Sequence, residues 1–328
     1  MQRWTVDLSA EAWRNDPQAN AVCKALLDGG LVAVPTETVY GLAADATNPL
    51  ACAKIFAAKG RPQFNPLISH VPSAEVAFEH GDFNADAMKL AEAFWPGPLT
   101  LVVRKTPSSP ICDLATAGLD TVALRVPAGP VMRFLSEKTG VPLAAPSANI
   151  SGRVSTTSAD AVAADLSEAL SYLVDAGPCR VGIESTIVSC VDETPRLLRP
   201  GGIAREDIER VIGRPLERPA DAPTPAAPGM LSSHYAPKAG VRLHASDVRP
   251  GEALLSFGAQ RLPGADNAAG EVNLSETGDL SEAAARLFAA LRALDAVGAE
   301  VICVQDIPET GLGEAINDRL RRAAAPRP

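Results

Sequence analysis

Short apolar runs of strand length alternate with stretches whose apolar positions recur at helical spacing over the first two hundred residues. A helix is predicted over 17–27, stopped by Gly29-Gly30, and 31–34 follows as a buried strand. Leu50, Ala53, Ile55 and Phe56 support a helix over 49–58 that ends at Gly60. Further strands are predicted at 67–71, 99–103, 121–126, 141–145, 172–174 and 186–191, with helices at 85–94, 130–139, 159–164 and 205–212. That alternation predicts a layered α/β domain. The pattern breaks where Pro215, Pro219, Pro223, Pro225 and Pro228 can continue neither a helix nor a central strand, which favours an extended linker. It resumes with strands at 241–244, 253–257 and 301–304 and helices at 280–297 and 314–323, a second and smaller α/β domain. The division is therefore 1–214, a linker over 215–238, and 239–328.

Composition narrows the class. A hydrophobic share of 46% against 21% charged residues is that of a globular chain, which argues against general disorder. No apolar run approaches the ~20 residues needed to cross a bilayer, and the first residues lack the apolar core of a secretory signal. A cytoplasmic enzyme is expected. The net charge of −9 is shared by both parts: residues 1–238 carry 21 basic and 26 acidic side chains, and residues 239–328 carry 9 and 13. Neither offers the broad positive surface that a nucleic-acid backbone needs, so direct nucleic-acid binding is not expected. The six cysteines and four histidines lack metal-site spacing.

Candidate chemistry collects just beyond strand ends, where open α/β sheets bind ligands. After the first buried strand comes Pro35-Thr36-Glu37-Thr38-Val39-Tyr40-Gly41-Leu42, which can also be read as a polar turn. Gly60 and Pro62 break the helix around Lys59-Gly60-Arg61-Pro62, so both cations can turn toward one site; capping of the helix carbonyls is the alternative. Arg125 interrupts the apolar stretch 121–127, and a buried guanidinium requires an anion, either a substrate carboxylate or an internal ion pair. Arg125 shares a strand face with Thr121 if the period of two holds. Ser147 and Asn149 follow Pro146 and project to one side. No Walker loop, dinucleotide fingerprint or nucleophile elbow is present, and Gly311-Leu312-Gly313-Glu314 is explained by a helix start. Such a cation-rich site without a covalent nucleophile fits phosphoryl or nucleotidyl transfer.

These segments, with Asn65-Pro66-Leu67-Ile68, Trp95-Pro96-Gly97-Pro98-Leu99-Thr100, Glu184-Ser185-Thr186-Ile187 and Arg199-Pro200-Gly201, resemble the threonylcarbamoyl-AMP synthase family. Pro228-Gly229-Met230 and His234-Tyr235-Ala236-Pro237 are similar to the segment that marks its long, two-domain form. The resemblance implies a YrdC-like twisted mixed α/β domain with an open cleft, joined by the proline-rich linker to a Rossmann-like α/β domain. It implies a nucleotidyltransferase that turns L-threonine, bicarbonate and ATP into threonylcarbamoyl-AMP and pyrophosphate, with Mg²⁺ accompanying ATP. The product would pass to the transferase machinery that completes threonylcarbamoyladenosine in tRNA. By the same resemblance, Thr38, His70, Arg125, Ser147 and Ser185 would hold threonine. Lys59, Arg61, Asn65, Thr121, Ala145, Ser155, Arg199 and Tyr235 would hold ATP, and Lys59, Arg61, Ser147 and Asn149 would form the catalytic group. Tyr235, on the tether, would act as a lid. Some relatives carry a basic residue just before His234 where this chain has Ser232-Ser233, which removes a lid cation. The related hydrogenase-maturation carbamoyltransferases need zinc-finger and acylphosphatase-like segments that this sequence lacks; plain ATP hydrolysis is a further alternative.

Overall fold

The structure, a computed structural model, describes residues 1–217 and 234–326. In the first unit, one mixed sheet is built from β1 (Gln2–Thr5), β2 (Val32–Val34), β3 (Gly41–Asp45), β4 (Ile68–His70), β5 (Gly81–Asp82), β6 (Leu99–Lys105), β7 (Thr121–Arg125), β8 (Leu143–Ala144), β9 (Tyr172–Asp175), β10 (Thr186–Ser189) and β11 (Arg196–Arg199). Its helices are α1 (Pro17–Leu27), α2 (Pro49–Lys59), α3 (Ala74–His80), α4 (Ala85–Phe94), α5 (Asp113–Thr116), α6 (Pro130–Thr139), α7 (Ala159–Leu166) and α8 (Arg205–Ile212). The order across the sheet is β1-β9-β2-β3-β8-β4-β7-β6-β10-β11, with β5 added on β6. Helices α1 and α6 close one core around Val22, Leu26, Val34 and Leu135. A larger core gathers Leu42, Ile55, Leu90, Leu101 and Ile208.

Topology places the chemistry at one end of this sheet. Strands β4 and β7 run parallel with His70 opposite Arg125, so both side chains finish at the same edge. Strand β6 is antiparallel to β7 and parallel to β10, which brings Thr100 and the start of β10 to that edge. Strand β11, antiparallel to β10, delivers Arg199 there.

Local signals explain most boundaries. Helix α2 starts where Asn48 accepts from the amides of Leu50 and Ala51, and stops at Gly60, which takes the left-handed conformation (φ 60). Its buried stripe is Ala51, Cys52, Ile55, Phe56 and Lys59; Leu50, assigned to the apolar set from sequence, is 76% exposed because it lies in the first turn on the outer side. Strands β1, β3, β5 and β11 and helices α3 and α5 were not expected. Strand β3, Gly-Leu-Ala-Ala-Asp, is buried on both faces and so shows no alternation.

The second unit has β12 (Gly240–Arg242), β13 (Ala253–Ser256), β14 (Glu271–Asn273), α9 (Leu280–Ala296), β15 (Val301–Val304) and α10 (Leu312–Ala324). Its sheet is parallel throughout, in the order β12-β15-β13-β14. The two units share one apolar cluster, in which Val39, Val154 and Ile183 of the first join Tyr235, Leu287, Phe288, Ile316 and Leu320. Residues 215–217, expected in the linker, belong to the first unit: Leu216 is in its core, and Glu217 exchanges backbone hydrogen bonds with Pro195 and Leu197. Pro219, Pro223, Pro225, Pro228, Gly229, Met230, Ser232 and Ser233 lie outside the described residues.

Candidate active site

Thr36 organises the turn after β2: its Oγ1 accepts from the amides of Thr38 and Val39 and donates to the carbonyl of Val39 at 2.7 Å. The turn carries Glu37 inward. Arg125, the last residue of β7, donates to the Glu37 carboxylate at 2.6 Å, and the Gly129 amide donates to its other oxygen at 3.0 Å. The Arg125 anion is therefore Glu37, the internal ion pair that competed with a substrate carboxylate. Burial raises the Glu37 pKa, but Arg125 outweighs it and holds the carboxyl below its ordinary value. Arg125 nevertheless still lines the pocket.

Around that pair, a buried pocket is lined by Thr38, His70, Ser147, Ser185, Arg61 and Arg199, with Ala145 on its wall and His234 and Tyr235 across it. Burial, followed by Arg125, pushes His70 down to about 3, so its imidazole is neutral. Its Nδ1 is buried without a partner, as is Nδ1 of His234, and both residues line the pocket. Arg199 donates to the carbonyl of Ser185 at 2.9 Å and to its Oγ at 3.1 Å; that hydroxyl also meets Thr100 at 2.8 Å. The two strand ends approach so closely because residue 201 is glycine: a Cβ there would lie 2.4 Å from the backbone of Glu184, Ser185 and Thr186.

The expected central group separates into two layers. Lys59 is not on the pocket wall. As the last buried position of α2, it donates to the carbonyls of Ser147 (2.6 Å) and Asn149 (2.5 Å) from behind. Asn149 is equally hidden; its Oδ1 accepts from Ser147 Oγ at 2.6 Å, and its amide donates to the carbonyls of Ile150 and Arg153. Arg61 reaches the pocket while donating to the carbonyls of Asn65 and Pro66. Burial depresses both cations, Lys59 strongly with Arg61 adding to it, and Arg61 to about 9 with Arg199 adding to it. Both groups donate to backbone carbonyls, so an arriving anion would relieve their desolvation and mutual repulsion.

Asn65, Ser155 and Thr121 do not line the pocket. Ser155 donates to Glu184 at 2.5 Å. Thr121 begins β7, about 13 Å from Arg125 at the rise of a strand. It shares the face of Ala123, which packs with Ile68 in a small cluster leading away from the pocket.

Tyr235 closes the site. It is 1% exposed, stacks on Phe288 of α9 at 5.5 Å, and lies beneath Arg319 of α10. With it seated, the cavity is ≈ 40 Å³, whereas a nucleotide-sized ligand needs roughly 300 Å³ or more. A ligand of that size does not fit the pocket with Tyr235 in this position. Sequence reasoning assigned no role to Glu184, His234 or Arg319. Arg319 carries the same signal that exposed Arg125, a charge on a buried apolar stripe (Ile316, Leu320, Ala323).

A family model described as "Telomere recombination" matches residues 24–201, and one described as "Threonylcarbamoyl-AMP synthase, C-terminal domain" matches 203–325. The threonylcarbamoyl-AMP synthase of Bacillus subtilis is 40% identical over 99% of this chain and 98% of its own length. That of Pyrococcus abyssi is 43% identical over 90% and 91%. The crystal structure of P. abyssi Sua5 complexed with L-threonine superposes with a TM-score of 0.89 at 37% identity, covering 99% of this chain and 98% of that one.

Proposed function

Because the chain belongs to the threonylcarbamoyl-AMP synthase family, we propose a division of labour among its pocket residues for the reaction that the family performs. The enzyme is a nucleotidyltransferase that makes threonylcarbamoyl-AMP for tRNA modification. Among the described residues no helix is long and apolar enough to cross a membrane, and the proposed setting is the cytoplasm.

L-Threonine is the proposed occupant of the Thr38, His70, Arg125, Ser147 and Ser185 side, supported by the ligand of the P. abyssi relative. Its carboxylate would share the Arg125 fork with Glu37. Neutral His70 would accept from a ligand donor without adding charge. ATP would place its phosphates at Arg61 and Arg199, under Tyr235, with Lys59 reinforcing them from behind. Its nucleoside would run along the face of Ile68 and Ala123 toward Thr121, near Asn65, Ala145 and Ser155. The amine of threonine, once deprotonated, would add to bicarbonate with loss of water, or to carbon dioxide with release of a proton to solvent, to give a carbamate. A carbamate oxygen would then attack the α-phosphorus in line as its bond to the pyrophosphate oxygen breaks. Ser147, held by Asn149 and Lys59, would orient the carbamate. Tyr235 would exclude water from a product that hydrolyses readily. The product would then go to the tRNA-modifying transferase.

Mg²⁺ is proposed to arrive on the ATP phosphates. Glu184 on the pocket wall and Glu37 behind Arg125 are already held by arginines, which fits a metal carried by the nucleotide rather than by a cage of side chains.

The observation that carries this reading is the meeting of the Arg125 fork, neutral His70, Arg61 and Arg199 in one buried pocket under Tyr235. Pyrophosphate release should require threonine and bicarbonate together, and omitting either should reduce it to background. Release that ignores both would mean simple hydrolysis. A second expectation follows from the depressed Lys59 pKa: ATP should raise it toward its ordinary value, so binding takes up protons wherever the free side chain is partly deprotonated. Calorimetry in buffers of different ionisation enthalpy reads that uptake, and Lys59→Met should reduce it. No buffer dependence would show that Lys59 is already fully charged in the free enzyme.

A further inference from the structure

We propose that Arg319, carried by the second unit, is a positioning residue of the active site: it locks Glu184 and the chain after Arg199, and backs Tyr235, so that seating of the second unit and closure of the pocket become one event. The geometry is specific. Arg319 is fully buried, and its Nε and Nη2 both donate to one oxygen of Glu184 at 3.1 Å. Its Nη1 donates to the carbonyl of Pro200 at 2.5 Å and to Asp318 at 3.1 Å. The guanidinium carbon lies 5.3 Å from the centroid of the Tyr235 ring. Three pocket walls thus meet at one side chain: Glu184-Ser185, Arg199-Pro200, and Tyr235.

The rest of α10 shows why this goes beyond packing. Ile316, Leu320 and Ala323 already bury the helix in the shared apolar cluster, and an apolar residue at 319 would continue that stripe. An arginine there must be desolvated, which is costly unless a fixed anion and carbonyls receive it. Burial works against the charge, and Tyr235, Glu184 and Asp318 more than offset it. The anion is a pocket carboxylate whose other oxygen accepts from Ser155. Around Tyr235, the amide of His234 donates to the carbonyl of Arg322, and that of Ala236 to the carbonyl of Gly152 at 2.8 Å. The strap is therefore held by both units at once. Arg205 and Glu314 also join the units but lie away from the pocket, which makes Glu314→Gln the matched control.

This inference rests on the proposed function for the ligands used, so one readout is independent of turnover. In the full chain, Arg319→Met should speed amide exchange at Ala236 and His234 without any ligand, and raise the KM for ATP at least tenfold with a smaller change in kcat. It should also give kcat/KM a new acid limb. Glu184 faces Arg319, Arg199, Ser155, Tyr235 and, further off, Lys59, and without its main cation it would take up a proton; adding Glu184→Gln should abolish that limb. Glu314→Gln should leave exchange, KM and the pH profile as in wild type. If Arg319→Met fails to fold, Arg319→Lys, which keeps the charge but loses the fork, carries the same measurements with smaller shifts. A lower melting temperature with exchange, KM and pH profile unchanged would make Arg319 a strut and overturn the proposal. Failure of the wild type to form threonylcarbamoyl-AMP would count against the proposed function, while the exchange result would still judge Arg319.

Discussion

Arg125→Met should both weaken the fold and abolish efficient use of threonine, and a second substitution should separate the two effects. The single change strands Glu37, which is held by Arg125 and the Gly129 amide. Leaving a buried carboxylate without its cation costs about 3–5 kcal/mol. The proposed fork for the threonine carboxylate disappears as well. A lost charged hydrogen bond is worth roughly 1.5–3 kcal/mol, so the KM for threonine should rise about tenfold to a hundredfold. In Glu37→Gln/Arg125→Met the stranded charge is gone, and urea denaturation should recover most of the stability while the KM stays high. Recovery of both would show that Arg125 serves only Glu37. The pH dependence has a definite sign. Glu37 has a depressed folded pKa, so its stabilisation is present above the ordinary carboxylate range and is lost as pH falls through the lowered value. Wild type should therefore lose stability on acidification through that window, and the double variant should lack this component.

Arg125 and Lys59 illustrate what the sequence could and could not convey. A charge inside a strand-like apolar run announced that Arg125 is buried and needs an anion. Which anion depended on the turn at Thr36, whose hydroxyl folds Glu37 inward, and no periodicity encodes that. Lys59 closes the buried stripe of α2, and Gly60 marks the helix end, so its inward direction was legible. Its targets, the carbonyls of Ser147 and Asn149, are 88 and 90 residues away and arise only from the sheet. Helices α4, α6 and α8 were found at their observed bounds because Asn84, Pro130 and Gly213 punctuate them. Strand β3 was missed because a strand buried on both faces, made of Gly, Leu and Ala, has neither alternation nor β-branched residues. Thr121 shows the opposite failure. Sharing a face with Arg125 was read correctly, but a face is not a site, and three residues of strand separate the two.

Lys59→Met should be the most damaging single change to turnover, lowering kcat by about 10²–10³. The reason is indirect as well as electrostatic. Its ammonium satisfies two carbonyls inside the protein, and each left unmet costs about 1–3 kcal/mol. The loop can escape that cost only by moving, and movement takes Ser147 Oγ off the pocket wall. Asn149 serves the same end from the other side, accepting the Ser147 hydroxyl while its amide is anchored by Ile150 and Arg153. Lys59, Ser147 and Asn149 therefore act as one unit, and their losses should not add. If Asn149→Ala alone lowers kcat about 10²-fold, Lys59→Met/Asn149→Ala should be little worse than Lys59→Met. Steady-state pyrophosphate release with saturating threonine, bicarbonate and ATP measures all three variants. Multiplicative losses would show that the two residues act separately, with Lys59 stabilising charge directly and Asn149 only placing a hydroxyl.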